Sequence, residues 1–137
     1  MSVFKKIINR EIESNIVYED DLVIAFLDIS QATKAHTLVV PKKDYQNIYQ
    51  LDEKTAGHLF KVVVKISQAI KKAFQPDGLN IVNNNGAVAG QSVFHYHIHI
   101  IPRYKGDDFS IKYVNHSQDY SKEDFIKIKE TIINSLS

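Results

Sequence analysis

The amino-acid sequence predicts a single α+β domain over residues 1–137, in which an antiparallel five-stranded sheet carries a long central helix and a C-terminal helix. Three observations lead to this fold class: short apolar runs separated by turn residues, one long stretch of helical periodicity, and histidines at every second position late in the chain. Because strand-length runs precede and follow the helical stretch, we expect the helices to cover one face of the sheet.

The first forty residues predict a short helix and three strands. Apolar residues three and four positions apart from Val3 to Ile12 fit an amphipathic helix. Residues 15–28 contain two apolar runs around an acidic turn, which is typical of a β-hairpin. We expect a third strand from His36 to Pro41, because proline cannot continue the hydrogen-bond ladder of a sheet.

The rest of the chain predicts a long helix, a second hairpin and a last helix. The stretch from Leu51 to Phe74 has an apolar side wide enough for a subunit contact as well as a core. Residues 79–83 predict a fourth strand, and a glycine-bearing turn over 84–90 leads into a fifth strand over 92–101. Polar residues fill a variable tail from about 104–137, where Ser121 and Asp124 predict a capped helix start.

Composition excludes several classes of function. The net charge is +1, with 24% charged residues, so we expect no broad surface for nucleic acid or for an anionic membrane. The chain has no cysteine, which removes disulfides, thiolate catalysis and cysteine-ligated zinc. Charges interrupt the amino terminus too often for a secretory signal, and no apolar run reaches membrane-spanning length, so we expect a cytoplasmic protein.

The segment QSVFHYHIHIIPR places His95, His97 and His99 at alternate positions between apolar residues. Alternate side chains of a strand share one face, whereas a helix would scatter them. The spacing therefore predicts three imidazoles side by side. Tyr96 and Ile98 point the other way and are expected to pack in the core.

Three interpretations of these histidines are open: buried residues without chemistry, a zinc site that needs a further ligand, and nucleophilic attack by an imidazole on a phosphate ester or amidate. The residues upstream favour the third interpretation. Asn84, Gln91 and Ser92 offer hydrogen-bond donors for phosphoryl oxygens, and no acidic side chain lies between residues 84 and 99.

The run HYHIHII resembles the signature of the histidine-triad (HIT) family of nucleotide-binding proteins, in which three histidines alternate with apolar residues. The stretches YEDDLVIAFLDISQATKAHTLVVPKK and NNNGAVAGQSVFHYHIHIIPR resemble the two halves of that domain, and the likeness covers roughly residues 3–113. The resemblance implies a nucleotidyl hydrolase or transferase for purine nucleotides, without a cofactor, that acts on nucleoside phosphoramidates or related conjugates.

The resemblance also implies roles for single residues. The middle histidine, His97, attacks the α-phosphate and forms a nucleotidyl-histidine intermediate, and His95 positions it through its backbone carbonyl. His99 and His36 lie beside the phosphate and the leaving group. Asp28 binds the ribose hydroxyls. The remaining implied contacts are apolar walls around the base at Phe4, Ile7, Phe26 and Ile29, and phosphate contacts at Asn84, Gln91 and Ser92.

The sequence departs from many bacterial relatives at their structural zinc site. The corresponding positions are Ser2, Lys5 and Asp44, so that only His95 of the four ligands remains, and we expect no metal. The run IIPRYKGDDF also resembles family members that split dinucleoside polyphosphates, which stays an alternative activity in which Arg103 could meet the polyphosphate. A nucleotide-binding regulatory module with little turnover is a further alternative. The family pattern implies a homodimer with the long helix at its interface.

Overall fold

The computed structural model describes residues 1–137 as a five-stranded antiparallel sheet with helices, which confirms the predicted fold class. The strand order across the sheet is β1-β2-β3-β5-β4. The elements along the chain are α1 (Val3–Ile8), β1 (Ile16–Glu19), β2 (Val23–Leu27), β3 (Thr37–Pro41), α2 (Glu53–Phe74), β4 (Gly78–Val82), β5 (Ile98–Arg103) and α3 (Lys122–Ser135).

Hydrophobic clusters lie on both faces of the sheet, because side chains alternate along each strand. On one face, Val23, Ala25 and Val39 pack against α2 in the larger cluster. On the other face, strand residues pack against two residues of α1. The members of this smaller cluster are Phe4, Ile7, Ile24, Phe26, Leu38 and Val40. The expectation that helices cover one face only is therefore wrong, since α1 covers the face opposite α2.

Side chains cap the starts of α2 and α3. The carboxylate of Asp52 accepts a hydrogen bond from the backbone N–H of Thr55 at 2.7 Å, which satisfies a donor at the start of α2. Ser121 and Asp124 form a reciprocal capping box at the start of α3, which confirms the predicted cap. No helix in the structure combines the length and the apolarity that a bilayer crossing requires.

Two predicted elements differ from the structure in their bounds. Helix α1 ends at Ile8 rather than Ile12, because Arg10 adopts a left-handed backbone with φ of 62° and turns the chain away. Strand β5 begins at Ile98 rather than Ser92, and it continues through Pro102 to Arg103. Pro102 is tolerated because it lies beyond the residues of β5 that pair with β3, opposite Leu79 of β4.

The smaller cluster provides a test of the fold. Val40 in β3 is fully buried, whereas Val17 in β1 is 51% exposed. We expect Val40→Ala to lower the free energy of unfolding by about 2 kcal/mol, because the change removes buried methyl groups and leaves a cavity. We expect Val17→Ala, the same chemical change on the sheet edge, to cost less than about 1 kcal/mol. Urea denaturation of both variants measures the difference, and equal losses would contradict the assignment of this core.

Candidate functional site

The three histidines of the triad share one side of the chain, although only His99 belongs to a regular strand. His95 and His97 lie in the segment before β5, where the backbone N–H of Tyr96 donates to the carbonyl of Tyr45 at 2.7 Å. Side chains still point to alternate sides in this segment. Tyr96 and Ile98 are buried in the cluster under α2, as predicted. The histidines therefore point to the opposite face, which is the face of α1.

The register of the sheet sets the floor of the site. Phe26 of β2 lies opposite Leu38 of β3, and Leu38 lies opposite His99 of β5. These three side chains project from the same face, since directly paired residues of adjacent strands point the same way. Phe4 of α1 lies above this row, with its ring centre 5.5 Å from that of Phe26 and 4.9 Å from that of His97.

A backbone carbonyl fixes the proton of His97. Nδ1 of His97 donates to the carbonyl oxygen of His95 at 2.7 Å. A carbonyl oxygen can only accept, so Nδ1 carries the proton of the neutral ring and Nε2 keeps its lone pair. Burial lowers the pKa of His97, and this keeps the ring neutral near pH 7. Asn83 steadies the same residue by donating from its side-chain amide to the carbonyl of His97 at 2.9 Å.

His95 contributes its backbone to the site and keeps its ring out of it. Its side chain is 2% exposed, and Nε2 donates to the carbonyl oxygen of Pro41 at 2.7 Å. The ring is thereby tied to the end of β3, behind the pocket wall. This geometry agrees with the positioning role that the family resemblance implies for His95.

His36 and His99 form a hydrogen-bonded pair whose protons are ordered. The backbone N–H of Ala32 donates to Nδ1 of His36 at 3.1 Å, so this nitrogen has the lone pair and Nε2 carries the proton. Nε2 of His36 then donates to Nδ1 of His99 at 2.9 Å. Because Nδ1 of His99 accepts, its proton resides on Nε2. Burial lowers the pKa of His99 to about 4 and also lowers the pKa of His36, so the pair is neutral near pH 7.

A pocket of about 350 Å³ opens on this face and contains most of the candidate residues. Asp28 lies in its wall, with one carboxylate oxygen accepting from the backbone N–H of Ser30 at 2.8 Å. Ile29 is fully exposed at the rim of the pocket, so it does not form the buried apolar wall that was expected. The candidate residues that line the pocket are Phe4, Ile7, Phe26, Asp28, Ile29, Ser92, His97 and His99.

Four candidate residues lie outside the pocket lining: His36, Asn84, His95 and Gln91. The expectation of a phosphate contact from the Gln91 side chain is not supported, because its polar atoms are already used. Its Oε1 accepts from the N–H of Gly86 at 2.8 Å, and its Nε2 donates to the carbonyls of Gln46 and Val93. Gln91 is a brace of the loop before β5. Asn84 is half-buried in that same loop.

The pocket also has a polar end that the sequence did not indicate. Glu13, Ser14 and Asn15, together with Ile12, also belong to its lining. They belong to the connection between α1 and β1, a short polar linker with no motif, so only the turn of the chain at Arg10 brings them to the site. Asn83 was missed because one asparagine among three in a row carries no distinctive signal.

One group in the structure has the residue types of a metal centre. Asp28, His36 and His99 each bring a potential ligand atom within 4.8 Å of the others. The proton order argues against a metal there: for His36 to bind through Nε2, its proton would have to move to Nδ1 and face the N–H of Ala32. The group is better described as a hydrogen-bonded histidine pair beside a carboxylate.

The positions that correspond to the structural zinc site of relatives come together as an ion pair. Nζ of Lys5 lies 3.4 Å from the Asp44 carboxylate, which lies 3.5 Å from Nδ1 of His95. The Lys5 ammonium cannot be a metal ligand, and it already pairs with the Asp44 carboxylate that a cation would otherwise use. These residues therefore fit a metal poorly.

The guanidinium of Arg103 is held by contacts within the chain. Its guanidinium donates to both carboxylate oxygens of Asp107, to the side-chain carbonyl of Asn80 and to the backbone carbonyl of Phe109. The guanidinium carbon also lies 4.9 Å from the centre of the Phe109 ring. These hydrogen bonds use four of the five Arg103 N–H groups and fasten the segment after β5 to the sheet. Arg103 is not among the residues that line the pocket.

An unprotonated imidazole nitrogen, a second imidazole N–H and a carboxylate meet in one apolar cleft on an antiparallel sheet. Such a fold and site define a nucleotide-binding protein of the histidine-triad class. A family model described as the HIT domain matches residues 9–106, and the chain belongs to this family. The resemblance inferred from the triad is thereby confirmed.

Individual relatives agree with this assignment. The chain is similar to the protein hit of Bacillus subtilis (strain 168), with 52% identity over 136 residues that cover 98% of this chain and 94% of that protein. It is similar to the crystal structure of a HIT family protein from Bacillus anthracis, with a TM-score of 0.95 and 50% identity, covering 98% of this chain and 96% of that one. The adenylylsulfatase HINT3 of Arabidopsis thaliana is 41% identical over 105 residues, which cover 77% of this chain and 53% of that protein.

The neutral state of the buried histidines can be measured directly. We expect His36, His97 and His99 to stay unprotonated as the pH falls through about 6.5, because burial lowers their pKa in the folded protein. Nitrogen–proton correlation spectra of histidine-labelled protein, recorded along a pH titration, report each ring. The unfolded chain binds more protons in this window, so the free energy of unfolding should decrease as the pH falls from about 6.5 toward 4.

The same labelled protein in concentrated urea is the control, since its histidines should titrate at about 6.5. Protonation of His97 in the folded protein at or above that pH would contradict the geometry described here.

Proposed function

We propose that this protein is a metal-independent purine nucleotidyl hydrolase or transferase that cleaves at the α-phosphate of nucleoside phosphoramidates or related nucleotide conjugates. The observation that carries the proposal is the state of His97. Its ring is 5% exposed, its Nδ1 proton is fixed by a carbonyl, and the ring borders the pocket. A neutral imidazole held in this way presents Nε2 as a nucleophile without the need for a separate base.

In the first step, the lone pair on Nε2 of His97 attacks the α-phosphorus and forms a P–N bond. The bond from phosphorus to the leaving group breaks, and an amine leaving group departs as a neutral amine with a proton taken from solvent. The imidazole becomes positively charged when it is nucleotidylated. The hydrogen bond from Nδ1 to the carbonyl of His95 strengthens as that charge develops, and so stabilises the intermediate.

In the second step, water attacks the same phosphorus from the side that the leaving group has left. The P–N bond breaks, its electron pair returns to Nε2 of His97, and a nucleoside monophosphate is released. The proton lost by the water returns to solvent, so the two steps together consume one water molecule. Another acceptor in place of water would make the same chemistry a nucleotidyl transfer.

His99 acts as a neutral hydrogen-bond donor to the phosphoryl group in this proposal. Its Nδ1 is occupied by His36, and the ring borders the pocket, so Nε2–H is the group available to substrate. A fixed N–H aimed at a phosphoryl oxygen stabilises the charge that gathers on it in the transition state. His36 supports this donor from behind and does not border the pocket.

The rest of the pocket accommodates a nucleoside. Asp28 can accept hydrogen bonds from the vicinal ribose hydroxyls, a charge-assisted pairing. The rings of Phe4 and Phe26 and the side chain of Ile7 offer apolar contact to a purine. Ser92, exposed at the pocket edge, offers a hydroxyl donor near the phosphate.

The Arabidopsis relative supports the choice of substrate class, because it is named as an adenylylsulfatase, an enzyme acting on an adenylyl conjugate. Arg103 offers no support for the alternative of a dinucleoside polyphosphate hydrolase, since its guanidinium is held by Asp107, Asn80 and Phe109 and it does not line the pocket. The second alternative, a nucleotide-binding regulatory module, has the same pocket but would not need the ordered proton of His97.

Turnover of adenosine 5′-phosphoramidate in the presence of EDTA tests the proposal. We expect activity to survive EDTA and to fall by roughly 10⁴-fold or more in His97→Asn, because asparagine retains polarity but cannot be the nucleophile. His116→Asn is the matched control, since His116 is an exposed histidine that bonds only to Asp119. Diadenosine polyphosphate as a competing substrate ranks the two activities.

Loss of activity in EDTA that added zinc restores would replace this proposal with a metal mechanism. Nucleotide binding without turnover of either substrate would leave the regulatory module as the function.

We also propose that the protein is a homodimer in which α2 lies at the interface. The side of α2 that faces away from the sheet carries apolar residues that no part of the chain covers. Phe60 is 50% exposed and Val64, one helical turn further, is 44% exposed. Exposed apolar residues side by side on a helix are typical of a protein contact.

A charge placed on that side of α2 tests the dimer. We expect Val64→Lys to convert the dimer to a monomer, because the interface would have to bury an unpaired ammonium. Val17→Lys, at a valine that is 51% exposed on the sheet edge, should leave the dimer intact. Sedimentation equilibrium measures both masses, and a Val64→Lys protein that remains a dimer would move the interface elsewhere.

A further inference from the structure

The loop that carries Asp28 and His36 is closed by a backbone hydrogen bond from the N–H of Asp28 to the carbonyl of His36 at 3.0 Å, and the side chain of Gln31 braces it from within. Its Nε2 donates to the backbone carbonyls of Asp28 and His36, each at 2.7 Å. Its Oε1 accepts from the backbone N–H of Ala35 at 2.9 Å. Both donors and the acceptor are used, and exchanging the amide oxygen and nitrogen would break all three bonds, so the orientation of the amide is determined.

The backbone of this loop is strained where Gln31 holds it. Gln31 and Ala35 adopt left-handed conformations, with φ of 43° and 75°, although neither is a glycine. Such conformations persist only where surrounding contacts impose them. The three hydrogen bonds of the Gln31 side chain add to the backbone hydrogen bonds of the loop, because they tie its first, last and next-to-last residues to its middle.

The strained loop directs one backbone N–H at the buried histidine pair. Ala32 follows Gln31 directly, and its N–H donates to Nδ1 of His36. That hydrogen bond places the lone pair of His36 on Nδ1 and its proton on Nε2, where the Asp28 carboxylate, 3.6 Å away, also favours it. If the loop relaxed and Nδ1 of His36 took the proton, Nε2 of His36 would accept from Nδ1 of His99. Nε2 of His99 would then present a lone pair to the pocket instead of a proton.

We propose that Gln31 is a positioning residue that sets the polarity of His99 toward the substrate, by holding the N–H of Ala32 against His36. The inference rests on the proposed function, because a phosphoryl oxygen is attracted by the N–H of His99 and repelled by its lone pair. Gln31 itself is absent from the pocket lining and acts only through the loop and the two rings.

Gln31→Met removes all three hydrogen bonds at similar side-chain volume. Nitrogen–proton correlation spectra of histidine-labelled free protein give the tautomer of each ring without any turnover. We expect Nε2–H for both His36 and His99 in the unchanged protein, and a mixture of tautomers for both in Gln31→Met. We also expect kcat for adenosine 5′-phosphoramidate to fall about tenfold or more, with a smaller change in KM, since the lost donor acts mainly on the transition state.

Gln50→Met is the matched control. The side chain of Gln50 also accepts from a backbone N–H four residues away, that of Gln46 at 2.8 Å, in an exposed loop. This variant should keep the tautomers of both rings and the value of kcat. If Gln31→Met does not fold, adding Ala35→Gly relieves the left-handed position and allows the same measurement.

Unchanged tautomers in Gln31→Met would overturn the proposal, whatever happens to activity. Inactivity of the unchanged protein, with the ordered tautomers still present, would overturn the proposed function and leave the structural role of Gln31 standing. If kcat fell equally in Gln31→Met and Gln50→Met, the effect of Gln31 would be one on general stability, and the positioning role would be wrong.

Discussion

The site depends on imidazole rings that stay neutral and keep their protons on specified nitrogens. A free histidine exchanges between two tautomers and titrates near neutrality, so a nucleophilic nitrogen and a donor nitrogen exist side by side only if each ring is fixed by a partner. The partner is a backbone group for every ring but one. The carbonyl of His95 fixes His97, the carbonyl of Pro41 fixes His95, and the N–H of Ala32 fixes His36, which in turn fixes His99.

Burial supplies the other half of this constraint. Removing the rings from water disfavours the imidazolium form and would cost free energy if their polar atoms had no partners. The backbone partners offset that cost, and they are rigid because they belong to strand ends and braced loops. Asn83, Gln91 and Gln31 serve as such braces, which is why amides surround a site whose chemistry belongs to histidines.

The sequence predicted the sheet, the long helix and the common face of the histidines, because alternation and helical periodicity are local properties of the chain. It did not predict that β5 starts only at Ile98, since a segment can alternate sides without pairing to a neighbour. Gln91 was assigned to the phosphate because a side-chain amide can hydrogen-bond to a ligand or to the backbone of a loop. Only the folded structure shows that it bonds to the loop. The left-handed turn at Arg10 brings a polar linker to the pocket. It could not be predicted, because no glycine marks its position in the sequence.

The two ends of the pocket differ in how firmly they are built, and this difference bears on selectivity. At the end proposed to hold the phosphate, His97 is buried and oriented by a backbone carbonyl, and the partly buried His99 is oriented by His36. An altered linkage at phosphorus would therefore meet a fixed donor and a fixed nucleophile. At the end proposed to hold the base, Ile29 is fully exposed, and the linker residues in the lining are exposed or half-exposed. Apolar contact discriminates weakly between similar groups, whereas fixed hydrogen bonds discriminate strongly. For the proposed reaction we therefore expect selectivity to reside in the bond at the α-phosphate more than in the identity of the purine.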